Sequence, residues 1–108
     1  MYSVRRRGSL DPDELAASLH DYVVVDVRDR SGWSGGHIPG SIHVPITNLD
    51  SDVIGDDKRS PLAVLADDDR QAEVAVGALV RRGWDAVMIS GGAPAWRAAG
   101  QCFVTNRH

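Results

Sequence analysis

The sequence predicts a single α/β domain with a mostly parallel central sheet of about five strands and helices on both faces. Short β-branched segments alternate with segments of helical periodicity, a pattern typical of parallel sheets. The strand-like segments are almost continuously apolar, as expected where both faces of a sheet are covered. One domain spanning residues 1–108, with a recognisable core at about 10–104, suits a chain of 108 residues.

The first helix is predicted by its start signals. Asp11 can cap the helix, Pro12 suits its first position, and Glu14 stands where a capping box closes. Apolar residues at helical spacing then extend the helix to about His20.

Later elements are bounded by glycine and proline. Gly83 is suited to end a helix, and Pro94 lies in the first turn of another. The elements expected after the first helix are a strand at 22–27, a helical turn around Trp33, a strand at 41–44, a capped turn at 47–53, a strand at 62–66, a helix at 70–82, a strand at 85–89 and a helix at 93–99.

Composition and charge exclude several classes of function. A net charge of −3 argues against nonspecific nucleic-acid binding, and the basic run at 5–7 is expected to be a solvated turn. No apolar run approaches the ~20 residues that span a bilayer, and no signal-peptide core follows the arginines. The single cysteine, Cys102, excludes a disulfide framework and a multi-cysteine metal site. We therefore expect a cytoplasmic protein without membrane contact, metal or cofactor.

Ligands of parallel α/β sheets bind beyond the carboxyl ends of the strands, and three segments of this chain fall at such ends. They are residues 26–28, the loop after Ala66 and the glycine pair at 91–92. The candidate site residues are Asp67, Asp68, Asp69 and Arg70 in the loop, with Asp26, Arg28, Gly91 and Gly92 as a candidate rim.

Each of these residues also has a structural interpretation. Asp68 and Gln71 resemble a capping box, and acidic groups favour a helix N-terminus. Asp26 is expected to accept hydrogen bonds from nearby backbone donors at its strand end. Arg28 is expected to form a framework ion pair or to bind an anion. The side chains of Asp26 and Arg28 are expected on opposite faces if the strand continues, so that they need not pair with each other. The glycine pair is expected to let two loops approach closely.

Three segments resemble the rhodanese superfamily. The first is Asp-Val-Arg-Asp at 26–29, followed by Trp33 and by Gly-His-Ile-Pro-Gly-Ser at 36–41. The second is the glycine pair at 91–92 with Trp96 on the last helix, and the third is the strand, loop and helix over 61–84. The resemblance covers nearly the whole chain and implies the fold already predicted.

The resemblance implies a cysteine thiolate that carries sulfur as a persulfide at the end of the third strand. Ala66 occupies that position, or Leu65 if the segments are aligned backward from Arg70, and the loop is about one residue shorter than the common one. Neither residue is a nucleophile, and the three following carboxylates would repel an anionic substrate. Structural roles are expected for the remaining conspicuous residues: hydrogen bonding for His37, packing for Trp33, Trp84 and Trp96, and a small apolar side chain for Cys102.

Three functions follow as hypotheses. The favoured one is a catalytically silent binding or regulatory module, whose partner would be a protein of unidentified kind and basic character, or a cation. The second is a sulfurtransferase that uses Cys102 or a thiol from a partner. The third is a magnesium-dependent carboxylate phosphatase, suggested by a weak likeness of Asp67 and Asp69 to the haloacid dehalogenase signature, with Lys58 as the one available lysine.

Overall fold

A computed structural model describes residues 8–49 and 52–105, so the arginine run at 5–7 lies outside the described residues. The predicted fold class is confirmed. The described chain contains one five-stranded parallel sheet with strand order β1-β5-β4-β2-β3. The strands are β1 Ser9–Leu10, β2 Val23–Asp26, β3 Ile42–His43, β4 Leu62–Leu65 and β5 Ala86–Ile89.

The helices cover both faces of this sheet, as predicted. α1 ends before the predicted His20, and a separate 3₁₀ turn follows it; the hydroxyl of Ser18 donates to the carbonyl of Glu14 (2.8 Å) where the helix stops. The α-helices are α1 Pro12–Ala17, α2 Arg30–Ser34, α3 Asp69–Arg81 and α4 Gly92–Ala98, and the 3₁₀ turns are Leu19–Asp21, Ile46–Asn48 and Asp52–Ile54.

The predicted start of α1 and the predicted end of α3 are confirmed in detail. Asp11 and Glu14 form a reciprocal capping box, with both backbone-to-carboxylate distances at 2.9 Å. Gly83 follows α3 with φ +95°, and the N–H of Trp84 donates back to the carbonyl of Leu79 (3.1 Å). The helix caps therefore set the positions at which the connecting loops meet α1 and α3.

The sheet separates two hydrophobic cores. Alternation along the strands sends Val25 and Val64 to the face covered by α3, and Val24 and Leu65 to the face covered by α1 and α4. In the part of the chain that the structure describes, no helix is long and apolar enough to cross a bilayer. The largest fully buried side chains include Trp96, Leu15, Ile38, Leu62, Leu79 and Ile89.

Candidate functional site

Because all five strands are parallel, their carboxyl ends meet at one edge of the sheet, which we call the carboxyl edge. At this edge Asp26 is in register with Leu65, and Val64 is in register with Met88. Ala66 is the first residue beyond β4 and is fully buried. Its methyl group belongs to the core on the α3 side, so the position that the resemblance assigns to cysteine is filled by packed hydrocarbon.

The loop after Ala66 lies directly against the glycine pair. The N–H of Ala93 donates to the carbonyl of Ala66 (2.9 Å). A Cβ atom added at Gly92, where φ is +66°, would lie 2.7 Å from the oxygen of Ala66 and 2.8 Å from that of Asp67. The expected close approach of the two loops is therefore present, and it requires glycine at position 92.

The three loop aspartates have three different environments. Asp68 caps α3, since its Oδ1 accepts from the N–H of Gln71 (2.9 Å). Gln71 reaches back to the N–H of Asp67 (2.8 Å), one residue before the donor of an ordinary capping box. Asp69 accepts from the N–H of Gly91 (2.7 Å). Asp67 and Arg70 are exposed, and their side chains make no hydrogen bond within the described residues.

Asp26 and Arg28 form a buried ion pair. Nη2 of Arg28 lies 2.7 Å from Oδ2 of Asp26, and Nε lies 3.0 Å from Oδ1. Oδ1 also accepts from the backbone N–H of Arg28 (3.0 Å), which confirms the backbone-acceptor role expected of Asp26. The guanidinium completes its bonding at the carbonyl of Gly36 (2.7 Å). The framework ion pair expected of Arg28 is thus confirmed.

The expectation that these two side chains occupy opposite faces is wrong. Residues two apart along an extended chain share a face, so Arg28 lies on the same side of the chain as Asp26. Because β2 ends at Asp26, the side chain of Arg28 can turn back and bind the carboxylate. Asp26 is fully buried and Arg28 is 4% exposed. The pair therefore stabilises the backbone at the carboxyl edge, and its buried charges are little exposed to a ligand there.

A stack of three aromatic rings lies beside this pair. The ring of Trp33 stacks on His37, with 3.6 Å between centroids, and on His43, with 4.8 Å. His37 is buried and bonds through Nδ1 to the carbonyl of Trp33 (3.1 Å), which confirms its structural role. Trp84 and Trp96 are buried and Trp33 is half-buried, as expected of packing residues, and Trp33 packs by stacking on the two histidine rings. His43 was not among the predicted residues.

Cys102 lies in a terminal segment that is fixed to the domain. Its carbonyl accepts from Nε1 of Trp96 (2.9 Å), and two backbone bonds of 2.8 Å each join Val104 to His37. The thiol is exposed, with Phe103 O at 3.9 Å. Cys102 therefore lies in the terminal segment as expected, with contacts to α4, but its thiol is exposed and does not pack as a small hydrophobe.

The structure also places the residues of the phosphatase hypothesis. Nζ of Lys58 lies over the ring of Trp84, 5.8 Å from its centroid, beyond the C-terminal end of α3. Asp69 stands at the other end of this helix of 13 residues. Within residues 8–49 and 52–105, no cluster of three or more His, Cys, Asp or Glu side chains could hold a metal ion.

Comparison with known proteins assigns the family. The model of the family described as rhodanese-like domain matches residues 11–99. The chain belongs to the rhodanese-like domain family. A thiosulfate sulfurtransferase, GlpE of Pseudomonas fluorescens, is 33% identical over 89 residues, which cover 80% of this chain and 82% of that protein.

Solved rhodanese-like structures extend the likeness to the whole fold. A rhodanese-related protein from Thermoplasma volcanium has a TM-score of 0.84 and 26% identity, covering 93% of this chain and all of the other (100%). A rhodanese-like domain from Anabaena also has a TM-score of 0.84, with 28% identity over 94% of this chain and 81% of that chain.

Proposed function

We propose that this rhodanese-like domain is catalytically silent and serves as a binding or regulatory module. The observation that carries the proposal is the fully buried methyl group of Ala66 at the position where the family resemblance expects the sulfur nucleophile. Sulfur transfer through a persulfide requires a thiolate as nucleophile and carrier. A methyl group packed in the core supplies neither.

The alternative function is sulfur transfer through Cys102 or through a thiol from a partner. It is favoured by the similarity to proteins named thiosulfate sulfurtransferase. The contacts of Cys102 count against it, because its carbonyl accepts from Nε1 of Trp96 and its thiol lies beside the carbonyl of Phe103, and neither contact is with the candidate loop.

The charges of the carboxyl edge support a basic partner. Asp67 is exposed in the loop, and Asp11 and Glu14 line a cavity of about 450 Å³ next to Ser90. Ser90 directly precedes the glycine pair, so carboxylates flank this turn from two sides. Such an edge attracts a cationic peptide segment and repels thiosulfate or phosphate. A cytoplasmic location, where thiols such as Cys102 stay reduced, is part of the proposal.

The experiment compares wild type, Ala66→Cys and Cys102→Ser for thiosulfate-dependent formation of thiocyanate from cyanide. Intact-mass measurement after incubation with thiosulfate detects any stable addition of one sulfur atom. We expect neither turnover nor a sulfur adduct in the wild type and in Cys102→Ser. Turnover in the wild type that is lost in Cys102→Ser would overturn the proposal in favour of the alternative.

Ala66→Cys separates two causes of silence. Turnover in this variant alone would show that the site lacks only its nucleophile. Silence in all three proteins would agree with the proposal and assign a second obstacle to the short acidic loop. The second result is expected if the carboxylates also exclude the anionic donor.

A further inference from the structure

We propose that Asp69 is an internal tether that closes the candidate site, so that its carboxylate takes the place of an external anion between the loop at 66–69 and the turn at 90–92. The inference rests on the proposed function and deepens it, because it names the group that keeps the silent site shut. Asp69 is a positioning residue, because its carboxylate binds the backbone N–H of Gly91 in the neighbouring turn.

The tether is one of three contacts that hold the two loops together. Oδ1 of Asp69 accepts from the N–H of Gly91 at 2.7 Å, a bond between residues 22 positions apart. The N–H of Ala93 donates to Ala66 O (2.9 Å), and Gly92 brings the backbones within contact distance. Of these contacts, the Asp69 bond is the one made by a charged side chain, and charge-assisted bonds are the stronger kind.

Two backbone donors near the loop also have internal acceptors. The N–H of Asp67 donates to Oε1 of Gln71, and the N–H of Gln71 donates to the carboxylate of Asp68. Together with Gly91, three backbone N–H groups around the loop are occupied by side chains of the loop and of the first turn of α3. An anion that binds to these three N–H groups has to displace their acceptors while the carboxylates of Asp68 and Asp69 repel it.

Asp67 provides a matched control for Asp69. Both carry the same charge and stand two residues apart, Asp67 in the loop and Asp69 at the first position of α3, and the side chain of Asp67 makes no hydrogen bond within the described residues. Asp69→Ala and Asp67→Ala therefore remove the same charge, but only the first removes the tether. Asp69→Asn keeps an oxygen that can accept from Gly91 without the charge.

The first measurement is amide hydrogen exchange of Gly91 by NMR. We expect exchange to become roughly tenfold faster in Asp69→Ala, because the amide loses a charged acceptor. Asp69→Asn should fall between this variant and the wild type, and Asp67→Ala should match the wild type. Equal exchange rates in Asp69→Ala and Asp67→Ala would overturn the tether. Well-dispersed amide spectra establish that each variant is folded.

The second measurement is chemical rescue with acetate, which carries the lost carboxylate. We expect a saturable acetate-dependent shift of the Gly91 amide resonance in Asp69→Ala, with slower exchange at saturation. Chloride at equal ionic strength should have no such effect, and neither salt should act on the wild type or Asp67→Ala. Rescue absent in Asp69→Ala, or present equally in Asp67→Ala, would contradict an internal carboxylate as the occupant of the site.

The two proposals can fail separately. Sulfur transfer by the wild type would remove the silent-module proposal while leaving the exchange rate of Gly91 unaffected. An unchanged exchange rate in Asp69→Ala would remove the tether while leaving the missing thiol and the expected lack of turnover in place.

Discussion

Position 92 of the candidate site has no room for a side chain larger than that of glycine. Its φ of +66° is costly for a residue with a Cβ, and that atom would approach two carbonyl oxygens at 2.7 and 2.8 Å. Gly100 has a similar φ of +77° at the other end of α4, but a Cβ atom added there would meet nothing within 4 Å. The two positions therefore share the backbone cost and differ in crowding.

We expect Gly92→Ala to be more destabilising than Gly100→Ala. The positive φ costs both variants roughly 1–2 kcal/mol. The crowding at position 92 adds roughly 1–3 kcal/mol, since backbone must move to admit the methyl group. Urea unfolding followed by circular dichroism measures both values. Equal losses at the two positions would show that the loops can separate without cost.

The roles of some residues in the candidate site could be predicted from the sequence, and those of others could not. The roles of Gly92 and Asp68 were predictable, because a close approach and a helix cap are local features with known residue preferences. The hydrogen bond between Gly91 N–H and Asp69 joins residues 22 positions apart, so no local sequence pattern predicts it. The pairing of Asp26 with Arg28 did have a signal, since their spacing of two residues puts them on one face of an extended chain.

At the scale of elements, the start of α3 determines the shape of the candidate loop. Asp68 is its N-cap in extended conformation, with φ −155° and ψ 175°, and Gln71 folds back to Asp67. The loop is thus held by the same residues that begin the helix. Weakening the cap should therefore loosen both.

We expect Asp68→Ala to lower the free energy of unfolding by about 1 kcal/mol, the usual loss for an N-cap aspartate. Asp67→Ala removes the same charge near the same helix end without removing a cap, so its effect should be well below that value. Thermal and urea unfolding of the two variants beside the wild type tests the difference. Similar losses would mean that charge near the helix end, and not the cap, stabilises α3.

Elements with complete local signals were predicted closely, and elements made by tertiary contacts were not. α3 was expected at 70–82 and lies at Asp69–Arg81, because an aspartate cap and a terminal glycine mark its ends. β1 has two residues without an apolar run, and its pairing with β5 defines it as a strand. The stack of His37, Trp33 and His43 likewise depends on the return of the chain along β3.

For the whole molecule, the repeated alternation of strands and helices was enough to predict the parallel sheet. Parallel strands need crossover connections, and burial on both faces explains why β4 is buried at all four of its positions. The same topology gathers distant residues at the carboxyl edge: Asp11 follows β1, Asp67 follows β4 and Ser90 follows β5. The acidic character of this edge is thus a property of the complete sheet, although each carboxylate is visible in the sequence.

A cationic peptide provides the test of this edge as a binding surface. We expect a short oligolysine peptide, titrated at low salt, to shift the backbone amide resonances of residues 67–70 and of Ser90. Binding should weaken as salt rises, because the screening length falls from about 30 Å at 0.01 M to about 10 Å at 0.1 M.

Asp67→Asn should weaken binding, since this exposed carboxylate makes no hydrogen bond within the described chain and is free to meet a cation. Asp21→Asn removes an exposed carboxylate that precedes β2, at the opposite edge of the sheet, and should leave binding unchanged. Equal weakening by the two substitutions, or shifts spread evenly over the domain, would mean that the peptide responds to net charge and that the carboxyl edge is not its site.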